Sequence, residues 1–234
     1  MNHQYTVEEL EEGLILPFDK PFGWTSFDLV NLVRKKLCQF AGIKKLKVGH
    51  AGTLDPLATG LLILCTGRAT KKIISIQAMT KEYEARITLG ATTPSFDLET
   101  EIDKTYSIDH INTSLLSEKI NLFKGKIKQI PPLFSAKKIN GKRAYEFARN
   151  GIEKKMEPVE VEIFGIKIIS YDKPVLQLNV KCSSGTYIRS LARDIGKVLD
   201  SGAYLSGLKR TAIGHYNIKG AMDVEKFQNN INIL

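Results

Sequence analysis

The cleanest periodicity in the chain lies over residues 81–90, where Tyr83, Ala85, Ile87 and Leu89 alternate with Glu82, Glu84, Arg86 and Thr88. A period of two puts the first set on one face of an extended segment, so a half-buried strand is predicted with Tyr83 near its start. Residues 61–65 are apolar throughout and read as a short buried strand. Further strands are predicted at 159–170, 175–182 and 205–213. Helical spacing occurs in Val30, Val33 and Leu37 behind a Thr25 or Ser26 cap, and in Ile188, Leu191, Ile195 and Leu199. Arg34, Lys35 and Lys36 fall in the predicted C-terminal turns of the first helix, where the macrodipole favours cations. Strands and helices mix without regular βαβ alternation, which predicts an α+β domain with a largely antiparallel sheet. No repeat or low-complexity linker divides it, so one domain over 1–234 is expected.

Two loops interrupt the pattern. Residues 19–24 are rich in Pro and Gly, and 49–60 are too dense in Gly, Pro and Thr for regular structure. The second loop sets Asp55 beside the strand at 61–65, with Pro56 fixing the backbone after the carboxylate and glycines admitting positive φ and close ligand approach. Read alone, such an aspartate is a turn residue or cap. Residues 129–158 open with Pro131 and Pro132 and carry Lys137, Lys138, Lys142, Arg143, Arg149, Lys154 and Lys155. So many charges cannot all be buried, which predicts a basic excursion from the sheet. Tyr145 and Phe147 within it either stack on bases or anchor a short helix.

Composition adds a bias and some exclusions. With 234 residues and 43% hydrophobic content the chain can bury a proper core. Lys and Arg outnumber Asp and Glu by 34 to 25, a net charge of +9, which favours a polyanionic partner. Residues 31–54 hold six of the basic residues (Arg34, Lys35, Lys36, Lys44, Lys45, Lys47) and no acid. They form either a phosphate track or a solvated helix face with a loop. The three cysteines have neither disulfide-framework nor zinc-ligand spacing, which suits a reducing cytoplasm. The N-terminal segment lacks the form of a signal peptide and no run approaches transmembrane length, so no membrane partner is expected.

The most specific stretch is residues 49–62, reading GHAGTLDPLATGLL. It closely resembles the signature loop of the TruB family of tRNA pseudouridine synthases. Three further stretches resemble the family in the same order: residues 19–26, reading DKPFGWTS; residues 81–83, whose Tyr83 matches the family's active-site tyrosine; and residues 185–192, whose Arg189 matches its active-site arginine. Leu208 falls where the family has an apolar pocket residue, His50 resembles the histidine that inserts into the RNA loop, and Lys20 is expected to organise the site. The segment 129–158 is similar to the family's RNA-gripping insertion, which makes Lys137, Lys138, Lys142, Arg143 and Arg149 candidate RNA contacts. The resemblance spans about residues 14–214. Many family members continue into a C-terminal PUA module, and the stretch 211–234 is too short to be one.

What the resemblance implies is isomerisation of a uridine in the TΨC loop of tRNA, at tRNA position 55, from an N-glycoside to a C-glycoside. Neither cofactor nor metal is called for. The base must leave its stack, with Tyr83 and Leu208 holding it and cations holding the backbone. Asp55 must be ionised, and an adjacent Arg189 would lower its pKa against the effect of burial. Covalent attack on the sugar and elimination to a glycal both need that oxygen, and Tyr83 can assist the later proton removal. The expected partner is the T arm of tRNA, met by a monomer with no obligate protein partner. Competing readings are a noncatalytic RNA-binding or RNA-folding protein, the related RNA-guided synthase and a two-carboxylate hydrolase. Intact Asp55, Tyr83 and Arg189 oppose the first, residues 57–60 with the basic insertion oppose the second, and the lack of a second acid motif opposes the third.

Overall fold

The computed structural model describes residues 6–229 except 136, 140, 151, 153 and 155, and only the backbone at 138, 139, 142, 143, 145, 148 and 149. Along the chain run α1 (Val7–Glu12), β1 (Ile15–Lys20), α2 (Ser26–Ala41), β2 (Val48–His50), β3 (Ala58–Thr66), a 3-10 segment (Gly67–Lys72), α3 (Ile73–Ala78) and β4 (Lys81–Leu89). There follow β5 (Ala91–Thr92), β6 (Lys104–Thr105), α4 (Thr113–Asn121), β7 (Gly125–Gln129), β8 (Lys138–Ile139), β9 (Lys142–Arg143), α5 (Ala144–Arg149), β10 (Val159–Asp172) and β11 (Val175–Cys182). The chain then continues through α6 (Ile188–Val198), β12 (Ala203–Ile213), β13 (Tyr216–Asn217), β14 (Met222–Asp223) and α7 (Val224–Asn229). These elements group into two compact units, one formed by Met1–Tyr83 with Leu208–Leu234 and the other by Glu84–Gly207. The architecture is α+β with mixed, mainly antiparallel strand pairing. No helix among the described residues is long and apolar enough to cross a membrane.

In the first unit the strand order is β14-β1-β3-β12. β1 and β3 pair antiparallel from Ile15 opposite Cys65 to Lys20 opposite Gly60, and β12 joins β3 in parallel, with Gly60 opposite Arg210. A strand paired on both sides and covered on both faces has no polar positions to spare, which explains why Leu61, Leu62, Ile63, Leu64 and Cys65 are all fully buried. Leu61, Ile63 and Cys65 pack with Ala51, Ile76 and Ile213 in one cluster. α2 starts at a capping box in which the Asp28 amide donates to Thr25 Oγ1 (3.0 Å) and the Thr25 amide donates back to the Asp28 carboxylate (2.8 Å). It buries Leu29, Val30, Val33 and Leu37 and runs on to Ala41, ending at Gly42 in the left-handed region (φ 66°). Arg34, Lys35 and Lys36 therefore sit in the body of the helix, not in its last turn, because helical spacing persists until the first residue able to take a left-handed cap. The expected loop at 49–60 is shorter than its composition suggests: Gly49 and His50 extend β2, and Ala58 to Gly60 open β3.

In the second unit the order is β4-β11-β10-β7, with β10 antiparallel to both β11 and β7. Tyr83, Ala85, Ile87 and Leu89 are buried along β4 as their alternation predicts. The basic segment leaves the sheet at Gln129 and forms its own small hairpin of β8 and β9, followed by α5. Its departure point is pinned to the start of α6, since the Tyr187 amide donates to Gln129 Oε1 (2.8 Å) and Ser190 Oγ donates to the Ile130 carbonyl (2.8 Å).

Candidate active site

Asp55 lies half-buried between β2 and β3, on a turn several of whose residues are tied down by hydrogen bonds. The Ala51 amide donates to the Ile63 carbonyl (2.8 Å), and the Gly23 amide donates to the Pro56 carbonyl (2.9 Å). Buried Ser26 brackets Leu54: its Oγ accepts from the Leu54 amide (2.8 Å) and donates to the Leu54 carbonyl (3.0 Å). Arg210, on β12, closes the frame. Its guanidinium is buried and donates from Nε to the Leu61 carbonyl (2.8 Å) and from Nη2 to the Gly52 carbonyl (3.0 Å). Partners at Gly52, Leu54, Pro56 and Leu61 leave the backbone around Asp55 few alternatives, so the carboxylate is presented from a fixed turn. Gly60 lets Arg210 come this close: it has φ 103°, and a Cβ there would stand 2.6 Å from the Arg210 amide nitrogen and nearer still to its carbonyl oxygen.

Lys20, Gly60 and Arg210 are register neighbours across β1, β3 and β12. Lys20 is fully buried, so a plain surface role is excluded. Its ammonium donates to the carbonyls of Pro21 (3.0 Å) and Trp24 (2.6 Å), which bind residues 19–24 beneath the Asp55 turn. Burial pulls its pKa down to about 8, the negative charge of Asp55 works against that fall, and the positive charge of Arg210 adds to it. Lys20 and Asp55 thus feel each other's charge directly. His50 ends β2 opposite Leu64, half-buried; burial first and Arg210 second keep its pKa below the ordinary histidine value, which favours a neutral imidazole. Leu208 lies opposite Ala58, half-buried, and its carbonyl accepts from Thr59 Oγ1 (3.3 Å). Tyr83 is buried at 9% exposure, on the apolar face of β4. The first unit therefore contains Asp55, Lys20, His50, Leu208 and Tyr83.

Arg189 belongs to the second unit, in the first turn of α6, and is buried. Its Nε stands 3.6 Å from Asp97 Oδ2, and its Nη1 donates to the Ser95 carbonyl (3.4 Å). Asp97 is buried too: its Oδ1 accepts from the Glu99 amide (3.0 Å), and its carbonyl accepts from the hydroxyls of Thr93 (2.7 Å) and Ser95 (3.2 Å). A buried ion pair with these extra hydrogen bonds fixes the guanidinium's orientation. Neither Asp97 nor Arg210 is among the site residues that the sequence predicts. Arg210 carries a usable signal, an arginine in phase with Leu208 and Ala212 along a predicted strand; Asp97 sits in an acidic loop at 92–100 that broadly resembles the family's and by itself implies no more than loop structure.

Of the candidate RNA contacts, Lys137 is half-buried. The backbone puts Lys138, Lys142 and Arg143 on the small hairpin and Arg149 at the end of α5, while their side chains lie outside the described residues. Phe147 has the Lys154 ammonium 5.7 Å from its ring centroid, a cation–π distance.

A family model described as TruB family pseudouridylate synthase, N-terminal domain, matches residues 35–188. A protein of Phocaeicola vulgatus named tRNA pseudouridine synthase B is 53% identical over 217 residues, covering 93% of this chain and 92% of that protein. Its namesake in Parabacteroides distasonis is 56% identical over 214 residues, covering 92% and 91%. Among solved structures, a chain of a Cbf5-Nop10-Gar1 complex superposes with a TM-score of 0.71 at 24% identity, over 95% of this chain and 55% of that one, a likeness of fold.

Proposed function

The chain belongs to the TruB family of pseudouridylate synthases, and from that membership we propose that it converts uridine to pseudouridine in the TΨC loop of tRNA, at tRNA position 55, with Asp55 as the catalytic carboxylate. The observation that carries the reading is the rigid presentation of Asp55, on a turn held by Ser26, Gly23 and Arg210 and in the field of the buried Lys20 ammonium. The reaction exchanges an N1–C1′ bond for a C5–C1′ bond and moves the proton at C5 to N1, with no net redox change or hydrolysis. An ionised oxygen held near the ribose serves either route, attack at C1′ or removal of the C2′ proton. Lys20 favours the ionised form through its charge. Tyr83 is assigned to stack on the extruded base, Leu208 to wall its pocket and His50, kept neutral, to enter the RNA loop without a cationic desolvation cost. Arg189, which matches the family's arginine, is a further proposed participant, and Asp97 sets its orientation within the second unit.

Lys137, Lys138, Lys142, Arg143 and Arg149 are assigned to the RNA backbone. The chain is further proposed to act as a monomer in the cytoplasm, a setting that suits its three free thiols. The test is Asp55→Asn with unmodified tRNA and no added metal or nucleotide. Pseudouridine formation should drop on the order of 10^4-fold, about 5.4 kcal/mol of activation free energy, while RNA affinity is retained. Product formed at the wild-type rate would remove Asp55 from this role.

A further inference from the structure

Separate from the Asp55 turn, the first unit contains a cleft of about 570 Å³ between α2 and the chain entering β2. Such a volume falls in the ~300–1,000 Å³ range of small-ligand pockets. One wall is a single face of α2, with Asn31, Arg34, Lys35, Cys38 and Gln39 at the i, i+3, i+4, i+7, i+8 spacing and turned away from the core stripe of Leu29, Val30, Val33 and Leu37. The opposite wall is Ile43, Lys44, Lys45 and Leu46. Four cations converge here, and among the described residues the lining includes no carboxylate. Arg34 is held in place, its Nη2 donating to Asn31 Oδ1.

A merely solvated lysine face would be convex and wholly polar. This one is concave, and Ile43 and the buried Leu46 give it an apolar side. Cations beside an apolar surface, with Asn31 and Gln39 as neutral hydrogen-bonding groups, match a nucleotide unit: a phosphate for the charges, a sugar and base for the rest. The cleft is also close to the Asp55 turn along the chain. Only about five residues separate Lys45 from His50, a span of at most ~18 Å, and exposed Lys47 adds another cation between them. We propose that this cleft is an RNA subsite that takes a backbone phosphate and its adjoining nucleoside from the substrate, a few nucleotides from the target uridine. The proposal rests on the functional reading above for the identity of the RNA.

Cys38 supplies a native probe. It lines the cleft half-exposed, whereas Cys65 and Cys182 are fully buried. Iodoacetamide alkylation of the unmodified protein should therefore act on Cys38, and its rate can be followed by peptide mass. Saturating T-arm hairpin RNA should slow alkylation roughly tenfold, and raising the salt concentration should reverse that protection. Combining Arg34→Ala, Lys44→Ala and Lys45→Ala should remove the protection and reduce the log Kd against log salt slope by about 2–3. Unchanged alkylation under saturating RNA would overturn the proposal, as would protection that persists in the triple variant. Equal protection by ATP or inorganic phosphate at matched ionic strength would overturn it too, since the cleft would then be a small-anion site. Because alkylation does not depend on turnover, the two readings separate: protection without product sinks the enzymatic reading alone, and product without protection sinks the cleft alone.

Discussion

Lys20 carries an ammonium that burial opposes and whose partners are two carbonyls and the charge of Asp55. Its pKa falls from 10.5 in an ordinary lysine to about 8 in the folded protein. The unfolded chain therefore binds the extra proton between those two values, so the charge opposes folding fully below about pH 8 and ceases to do so above 10.5. Stability contributed by this residue accordingly rises with pH across that window. Unfolding free energies of wild type and Lys20→Met from urea titrations at neutral and strongly alkaline pH should diverge by ~1–2 kcal/mol in favour of wild type as pH increases. An unchanged difference would mean that Lys20 titrates like a solvated lysine. A charge kept at such a cost beside a carboxylate fits a role in chemistry better than one in stability.

Among the elements, the contact that matters most to the site is the parallel pairing of β3 with β12, because it brings Arg210 beneath the Asp55 turn. Gly60 is the point where that approach is tightest. Gly60→Ala sets a methyl group against the Arg210 backbone at a φ of 103°, so β12 must shift and the guanidinium with it. We expect a loss of ~2–4 kcal/mol in a urea melt and a fall in pseudouridine formation larger than the fraction unfolded explains. Gly42→Ala is the matched control, since φ there is 66° but no atom lies within 4 Å of the added methyl. It should cost only the left-handed backbone penalty of ~1 kcal/mol and leave the rate intact. Similar effects at both positions would show that only backbone conformation, and not the packing of Arg210, is at stake.

For the whole molecule, a net charge of +9 sets long-range attraction to RNA, and the cations of α2 and of the segment 129–158 concentrate it. With about six phosphates contacted, tRNA affinity should weaken by ~10^3-fold between 50 and 200 mM salt, measurable by filter binding. A nearly flat dependence would contradict a backbone grip of that size. Much of this is legible in the sequence. α2, β4, β10, β11 and α6 declare themselves because burial of one face imposes a period on neighbouring residues, and residues 49–62 identify the family because a constrained turn needs its glycines, proline and aspartate contiguous. Other features depend on residues that meet only once the strands are ordered. Arg210 reaches Leu61 and Gly52 across 149 and 158 positions, Arg189 meets Asp97 from another element, and strand pairing sets the buried Lys20 opposite Gly60. The sequence by itself determined the longer periodic elements, the charge and the family's signature turn, since each is written over a few adjacent residues. Only the tertiary structure decided which buried cations hold that turn and that a basic cleft forms against α2, because hydrogen bonds and concavities between separate segments leave no local period to read.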